Sequence, residues 1–173
     1  MDKQLLIMGG GLGLLPKGDA FYEALNGVPG LSVTVIAGKN KKMYKKLHGK
    51  YENIRVLGFT DQVETYMRQA DLIISKPGGL TLFEAIHLEL PMLVFSPFLE
   101  QEIKNAEFIA ENGIGRVLSA EPEESVEEIL ALLWDDAALS HMERNMRRMK
   151  DTLNEEALLE ILSAYEKLAS RAA

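Results

Sequence analysis

The stretch DLIISKPGGLTLFEAIHLELPMLVFSP, residues 71–97, decides the fold. An apolar run from Asp71 to Ser75 breaks at Lys76-Pro77-Gly78-Gly79, gives way to helical spacing from Thr81 to Leu88, and resumes from Pro91 to Phe95. A strand, a stiff turn, a helix and a second strand make a βαβ unit, whose two strands run parallel. The runs are apolar nearly throughout, as in strands covered on both faces rather than wet on one. The same alternation extends in both directions. Gln4 to Met8, Leu31 to Ala37, Asn53 to Leu57 and Gly115 to Leu118 read as further strands, which gives six. Asp19 to Asn26, Lys39 to His48, Asp61 to Gln69 and Leu99 to Asn112 join Thr81 to Leu88 as helices, with Asp19, Asp61 and Thr81 expected as N-caps. From about residue 122 a helical tail follows: Glu123 to Trp134, Ala137 to Asp151 and Asn154 to Ser170, divided at Asp135-Asp136 and at Thr152. The expected fold is α/β, a doubly wound six-stranded parallel sheet with C-terminal helices, in a single domain spanning 1–173.

Composition agrees with one domain: 173 residues of which 47% are hydrophobic suffice for one buried core. The formal charge of −7 opposes non-specific nucleic-acid binding, which needs clustered cations against phosphates. With no cysteine there is neither a disulfide framework nor a thiolate metal site, which points to a cytoplasmic setting. The opening MDKQLLIMGGG is too short for a membrane span and lacks a signal-peptide cleavage pattern, so a soluble domain is expected.

In open α/β sheets ligands bind outside the carboxyl ends of the strands, so chemistry is sought in the loops after them. The first is Gly9-Gly10-Gly11-Leu12-Gly13, read either as a plain tight turn or as a loop whose amides approach a phosphate. It is no dinucleotide fingerprint, because Leu14 stands where the last glycine belongs and Ala37-Gly38-Lys39 ends the second strand without a ribose acid. Nor is it a Walker loop, since Asp19-Ala20 follows Gly18 in place of Lys and Ser/Thr. The second loop, Ser75 to Thr81, leads into a helix whose first amides, at Gly79, Leu80 and Thr81, suit a diphosphate. Glu84, one turn in, either complements the helix dipole or accepts from ribose hydroxyls. The third, Gly58-Phe59-Thr60-Asp61, is either a helix start capped by Asp61 or a place where free backbone groups pair with a base. The fourth, Ser96 to Asn105, opens a helix with amide and carboxylate side chains suited to sugar hydroxyls.

Read together, K-P-G-G-L-T-x-x-E-A from Lys76, x-P-x-L-V-F-x-P from Leu90, Q-E-x-x-N-A from Gln101 and N-G-I-G from Asn112 carry a resemblance. From Leu5 to Lys150 the chain resembles the carboxy-terminal half of the glycosyltransferase-B enzymes that make monogalactosyl- or glucosyl-diacylglycerol, and the related peptidoglycan N-acetylglucosaminyltransferase. The resemblance implies a Rossmann-like donor domain, one half of a glycosyltransferase-B fold, that binds a UDP-sugar. It implies phosphate contacts at Gly10, Gly11 and Gly13, uracil reading at Phe59 and Thr60, and a diphosphate loop of Lys76, Gly78, Gly79, Leu80 and Thr81. Glu84 takes the ribose acid's place, Gln101 and Glu102 contact the transferred sugar, and Asn105 supports that helix start. Gly11 departs from the peptidoglycan relatives, which carry serine there, so a side-chain phosphate contact is missing.

Such enzymes invert the anomeric centre without a metal or other cofactor, and here there is no D-x-D pair, while His48, His87 and His141 are dispersed. The resemblance also implies that an amino-terminal acceptor domain and its catalytic base lie outside these residues, so no catalytic base is assigned. The expected partners are the UDP-sugar, that missing domain or a partner subunit, and for the full-length enzyme a peripheral contact at the cytoplasmic membrane face. Lys39, Lys41, Lys42, Lys45, Lys46 and Lys50 crowd one helix, either as a solvated face or toward an anionic membrane, with Met43, Tyr44 and Leu47 for its buried stripe. Trp134, Leu139, Met142, Met146 and Met149 read as core, or as a patch against the absent domain. Alternatives kept open are a natural donor subunit of a two-chain N-acetylglucosaminyltransferase, a non-catalytic nucleotide-binding module and a sugar-nucleotide epimerase.

Overall fold

The computed structural model describes residues 2–10, 13–97 and 99–152, together with 160, 163 and 167. Its elements are β1 (Lys3–Met8), α1 (Asp19–Asn26), β2 (Leu31–Ile36), α2 (Lys41–Leu47), β3 (Ile54–Leu57), α3 (Val63–Gln69), β4 (Leu72–Ser75), α4 (Gly79–Leu88), β5 (Met92–Val94), α5 (Glu100–Glu111) and β6 (Gly115–Val117). A short 3-10 turn (Pro122–Glu124), α6 (Val126–Leu133) and α7 (Asp136–Thr152) complete it. The six strands form one sheet in the order β3-β2-β1-β4-β5-β6, and every pair is parallel. All six strands expected from the sequence are present, and the helical tail begins at Pro122. The expected helix from Asn154 to Ser170 lies outside the described residues, apart from 160, 163 and 167.

The pleat sends alternate side chains of β1 to opposite faces, so a doubly covered sheet needs apolar residues at every position. Leu5 and Ile7 join Phe21, Tyr22 and Leu25 of α1, Met43 and Leu47 of α2 and Ile129, Leu132 and Leu133 of α6 in one core. Leu6 and Met8 face the other way, into a second core with Met67 of α3, Leu82, Ala85 and Ile86 of α4 and Ile109 of α5. Helix α7 closes the sheet's end by giving Leu139 and Met142 to the first core and Met146 to the second. Met149 packs partly buried beside the second core, whereas Trp134 keeps 40% of its surface exposed.

The expected N-caps are corrected. Helix α1 is capped by Gly18, with Asp19 as its first residue, and α4 begins at Gly79, which makes Thr81 its third residue. Asp61 caps nothing, because the Thr60 hydroxyl accepts the Gln62 amide at 3.1 Å and turns the chain before α3 opens at Val63. Helix α2 is shorter than Lys39 to His48 for the same kind of reason: the Asn40 side chain accepts the Met43 amide at 3.0 Å and fixes the start at Lys41.

Strand β6 reaches β5 because Gly115 has no side chain. A Cβ there would lie 2.3 Å from the Met92 carbonyl oxygen and 2.7 Å from Ile109 Cγ2. Gly115→Ala is therefore expected to cost about 1–3 kcal/mol by overpacking. A denaturant melt with an unchanged midpoint would show that β6 has room there.

Candidate functional site

Helices α1 and α2 cover one face of the sheet and α3, α4 and α5 the other, so the chain reverses its winding between the neighbouring strands β1 and β4. The loops leaving these two strands part to opposite faces, and a crevice opens between them. On one side the glycine loop closes on itself: the Gly13 amide donates to the Gly10 carbonyl at 3.0 Å and the Leu14 amide to the Gly9 carbonyl at 2.9 Å. Gly10 and Gly13 have positive φ, 72° and 64°, which favours glycine. A Cβ on Gly13 would lie 2.3 Å from the Ala37 carbonyl oxygen, so this turn packs directly on the end of β2. Asn40 ties it there by donating to the Gly13 carbonyl at 2.8 Å. The Gly13 and Leu14 amides are thus bonded within the turn, and Gly11 lies outside the described residues.

On the other side, β4 passes through Ser75, whose hydroxyl donates to the Lys76 carbonyl at 2.9 Å, and through Pro77 into α4. The side-chain amide of Asn105, buried with 3% of its surface exposed, donates to the Pro77 carbonyl at 2.8 Å and clamps the loop to α5. Gly78 is extended, and the first intrahelical bond runs from the Leu82 amide to the Gly78 carbonyl at 3.0 Å. The amides of Gly79, Leu80 and Thr81 lie ahead of that bond at the positive end of the helix dipole. Lys76 lies in the wall of the cleft: its ammonium stands 3.5 Å from the Glu102 carboxylate on the same side, and its stem passes Gly10, where a Cβ would meet its Cε at 2.7 Å. Gln101 is exposed at the start of α5 and donates to Asn105 Oδ1 at 3.4 Å.

Farther along α4, Glu84 is half-buried. Burial raises its carboxyl above the ordinary value, and the negative charge of Glu64 on α3 adds to the effect. The loop that carries Phe59 and Thr60 leads into the same α3, so the expected base-reading and ribose-reading segments flank one another. Phe59 projects with 77% of its surface exposed.

The central hollow is a cleft of about 410 Å³ walled by Gly13 to Lys17, Asn40, Lys76, Pro77, Phe95, Ser96, Glu102 and the segment 120–123. Of the residues expected at the site it takes in Gly13, Lys76 and Glu102, while Gly79 to Thr81, Glu84, Phe59 and Thr60 are not among its walls. A larger hollow of about 550 Å³, against β6 and α7, is lined by Arg116, Glu128 and His141 and contains none of them. The strand-end cleft is the one beside the glycine loops. Sequence reasoning missed Asn40, which an N-cap pattern three residues before Met43 signals, and Glu123. The Glu123 carboxylate accepts the Lys17 and Gly18 amides at 3.1 and 3.2 Å across a separation in the chain that no local pattern reports. Among the described residues, no three His, Cys, Asp or Glu side chains are grouped to hold a metal.

The profile of the glycosyltransferase family 28 C-terminal domain matches residues 20–161. The chain belongs to this family. Among curated relatives, the processive diacylglycerol β-glucosyltransferase of Staphylococcus saprophyticus is 32% identical over 182 residues, covering 96% of this chain and 46% of the relative. The Bacillus subtilis enzyme of the same name is 32% identical over 98% of this chain and 45% of its own length. This glycosyltransferase domain therefore spans about half the length of the curated relatives it matches. Among solved structures, the spinosyn rhamnosyltransferase SpnG complexed with thymidine diphosphate shares the fold with a TM-score of 0.69 at 20% identity, covering 94% of this chain and 45% of that one. Acinetobacter baumannii MurG matches with a TM-score of 0.69 at 21% identity, covering 96% and 52%.

The raised Glu84 carboxyl makes a prediction. The proton on Glu84 favours the fold fully below the ordinary value of 4.5, and that contribution is lost as pH rises through the raised folded value. At neutral pH the half-buried carboxylate thus costs stability, and Glu84→Gln is expected to melt at a higher temperature than the wild type. The gain should vanish in acid, below the ordinary carboxylate range; a Tm advantage that is equal at both pH values would show that ionisation is not its source.

Proposed function

We propose that this domain binds the UDP-sugar donor of an inverting, metal-independent hexosyltransferase whose acceptor is a lipid such as diacylglycerol. The observation that carries the reading is the opening of α4 at the winding reversal, where three successive amides and the positive end of a helix dipole stand near Lys76, a setting that favours an anion. In this reading the diphosphate lies on Gly79, Leu80 and Thr81 with Gly10 opposite, and Gly13 serves by close packing, since its amide is bonded to Gly10. Phe59 and Thr60 read uracil, Glu84 accepts from the ribose, Gln101 donates to or accepts from the hexose hydroxyls, and Glu102 accepts from them. As the glycosidic bond breaks, negative charge grows on the leaving UDP, and donors already fixed in place stabilise it without reorganising.

The names of the curated relatives, which glucosylate diacylglycerol, support the lipid acceptor, and the thymidine diphosphate complex of SpnG supports a nucleotide on this fold. The apolar rim supports a facing acceptor domain: Leu14, Phe59, Leu80, Leu99 and Ile103 all lie exposed on segments at the strands' carboxyl ends. That domain would supply the acceptor hydroxyl and the base that takes its proton.

Calorimetry against UDP, GDP and ADP tests the donor reading: UDP is expected to bind best, with the same affinity in the presence of EDTA. Glu84→Ala should weaken UDP by about 1–3 kcal/mol and abolish the preference for ribose over deoxyribose. Equal affinity for all three nucleotides would remove the uracil assignment. Turnover tests the division of labour. The domain alone is expected to release no UDP from UDP-glucose with diacylglycerol micelles, and to do so once an acceptor half is supplied in trans, because reaction needs both partners held in contact. Lipid-dependent transfer by the isolated domain would place a base within these residues.

A further inference from the structure

We infer that Lys76 and Glu102 form a charge latch in the wall of the cleft: each neutralises the other in the free domain, and an arriving diphosphate takes Lys76 and releases Glu102 to the hydroxyls of the hexose. The inference rests on the nucleotide-sugar reading above and adds an order of events to it.

The geometry has three parts. The Lys76 stem is channelled between two glycines, since a Cβ on Gly10 would stand 2.7 Å and one on Gly78 3.7 Å from its Cε. A side chain on Gly10 would displace the stem, whereas one on Gly78 would only touch it, so the glycine of the first turn is what leaves the lysine its place. Next, the ammonium and carboxylate stand 3.5 Å apart, longer than a good charged hydrogen bond. A pair this loose, with a third of the lysine side chain exposed, is weak and readily exchanged. A diphosphate offers Lys76 more than one negative charge and shorter contacts, beside amides that already favour an anion. Finally, Glu102 is the more enclosed partner, with 14% of its side chain exposed. Deprived of Lys76, its carboxylate is an acceptor that needs donors, and hexose hydroxyls are donors.

Three classes of ligand are thereby told apart. A nucleoside monophosphate reaches the base and ribose contacts and leaves the latch shut. UDP opens it but abandons Glu102 without a partner. UDP-hexose opens it and satisfies both groups. After transfer the hexose is gone, Glu102 reclaims Lys76, and the latch itself helps to expel UDP.

The test is calorimetric titration of wild type, Lys76→Met, Glu102→Gln and the double variant with UMP, UDP and UDP-glucose, with melts to establish folding and Lys76→Arg as the variant that keeps the charge. Glu102→Gln is expected to bind UDP about two- to fivefold more tightly, the measure of a loose, partly buried ion pair removed, with no such gain for UDP-glucose. Lys76→Met should weaken UDP about tenfold and leave UMP unchanged. The double variant should bind UDP as Lys76→Met does, because without the lysine there is nothing to free. If Lys76→Met fails to fold, the Glu102→Gln comparison decides alone. UDP affinity that is unchanged or weakened in Glu102→Gln, or UMP weakened by Lys76→Met as much as UDP, would overturn the latch while leaving the nucleotide reading intact. A wild type that binds neither UMP nor UDP would overturn both.

Discussion

The turn after β1 can pack on the end of β2 only because Gly13 has no side chain, and the same turn meets the Lys76 stem at Gly10. A Cβ on Gly10 would stand 2.7 Å from Lys76 Cε, and one on Gly13 2.3 Å from the Ala37 carbonyl oxygen, so the turn after β1 lies flat on its neighbours. That close approach lets the Lys76 stem cross from the β4 loop to Glu102 on α5, and it brings the opening of α4 up to the same crevice. The parallel sheet supplies the rest, because six parallel strands put all their carboxyl ends on one edge. A reversal of winding between β1 and β4 then leaves the gap that no connection covers.

Under the proposed function a domain of net charge −7 hosts a diphosphate, and the surroundings sharpen the oddity, since Glu64, Glu84, Glu102, Glu121 and Glu123 all lie on the segments that flank the crevice. Net charge acts over roughly the Debye length, about 8–10 Å in physiological salt, and is screened beyond it. Directional groups act at contact. In the proposed site the amides of Gly79, Leu80 and Thr81 and the ammonium of Lys76 are therefore enough to decide which ion sits there, while the Glu84 carboxylate accepts from hydroxyls. Under the proposed function the mixture suits a ligand that is anionic at its centre and hydroxylated at both ends.

Much of this was legible in the sequence because it is local. Continuous apolar runs gave the strands, and the glycine clusters gave the two turns, since a backbone that must approach another backbone leaves a mark in composition. The helix starts were less legible. Asp61 and Thr81 have the right chemistry for a cap, but Thr60 captures the Gln62 amide first and Gly78-Gly79 lets α4 begin two residues early. The hydrogen bonds that finish the site are non-local: Asn105 to the Pro77 carbonyl, Asn40 to the Gly13 carbonyl, Glu123 to the Lys17 and Gly18 amides. Each joins elements far apart in the chain, and no spacing rule reports which loop a distant carboxylate will reach.

Those non-local bonds also divide the crevice into a rigid and a yielding part. The α4 opening is held from behind by a buried amide, and the ends of the glycine turn are held by the Gly13–Gly10 and Leu14–Gly9 bonds and by Asn40. Groups held so firmly suit the stage of reaction at which charge develops, because they need no reorganisation. The yielding groups are those facing the cleft with long, partly exposed side chains, Lys76 above all, and the exposed apolar side chains at its rim. Under the proposed function, those rim residues wait for a facing domain. A donor site built this way would bind its nucleotide on the rigid half and sense the rest of the substrate on the yielding one. The rim and the latch would then close together, because the same acceptor domain that covers Leu14 and Leu99 would exclude the water that screens Lys76 from the diphosphate and strengthen that contact as the acceptor arrives.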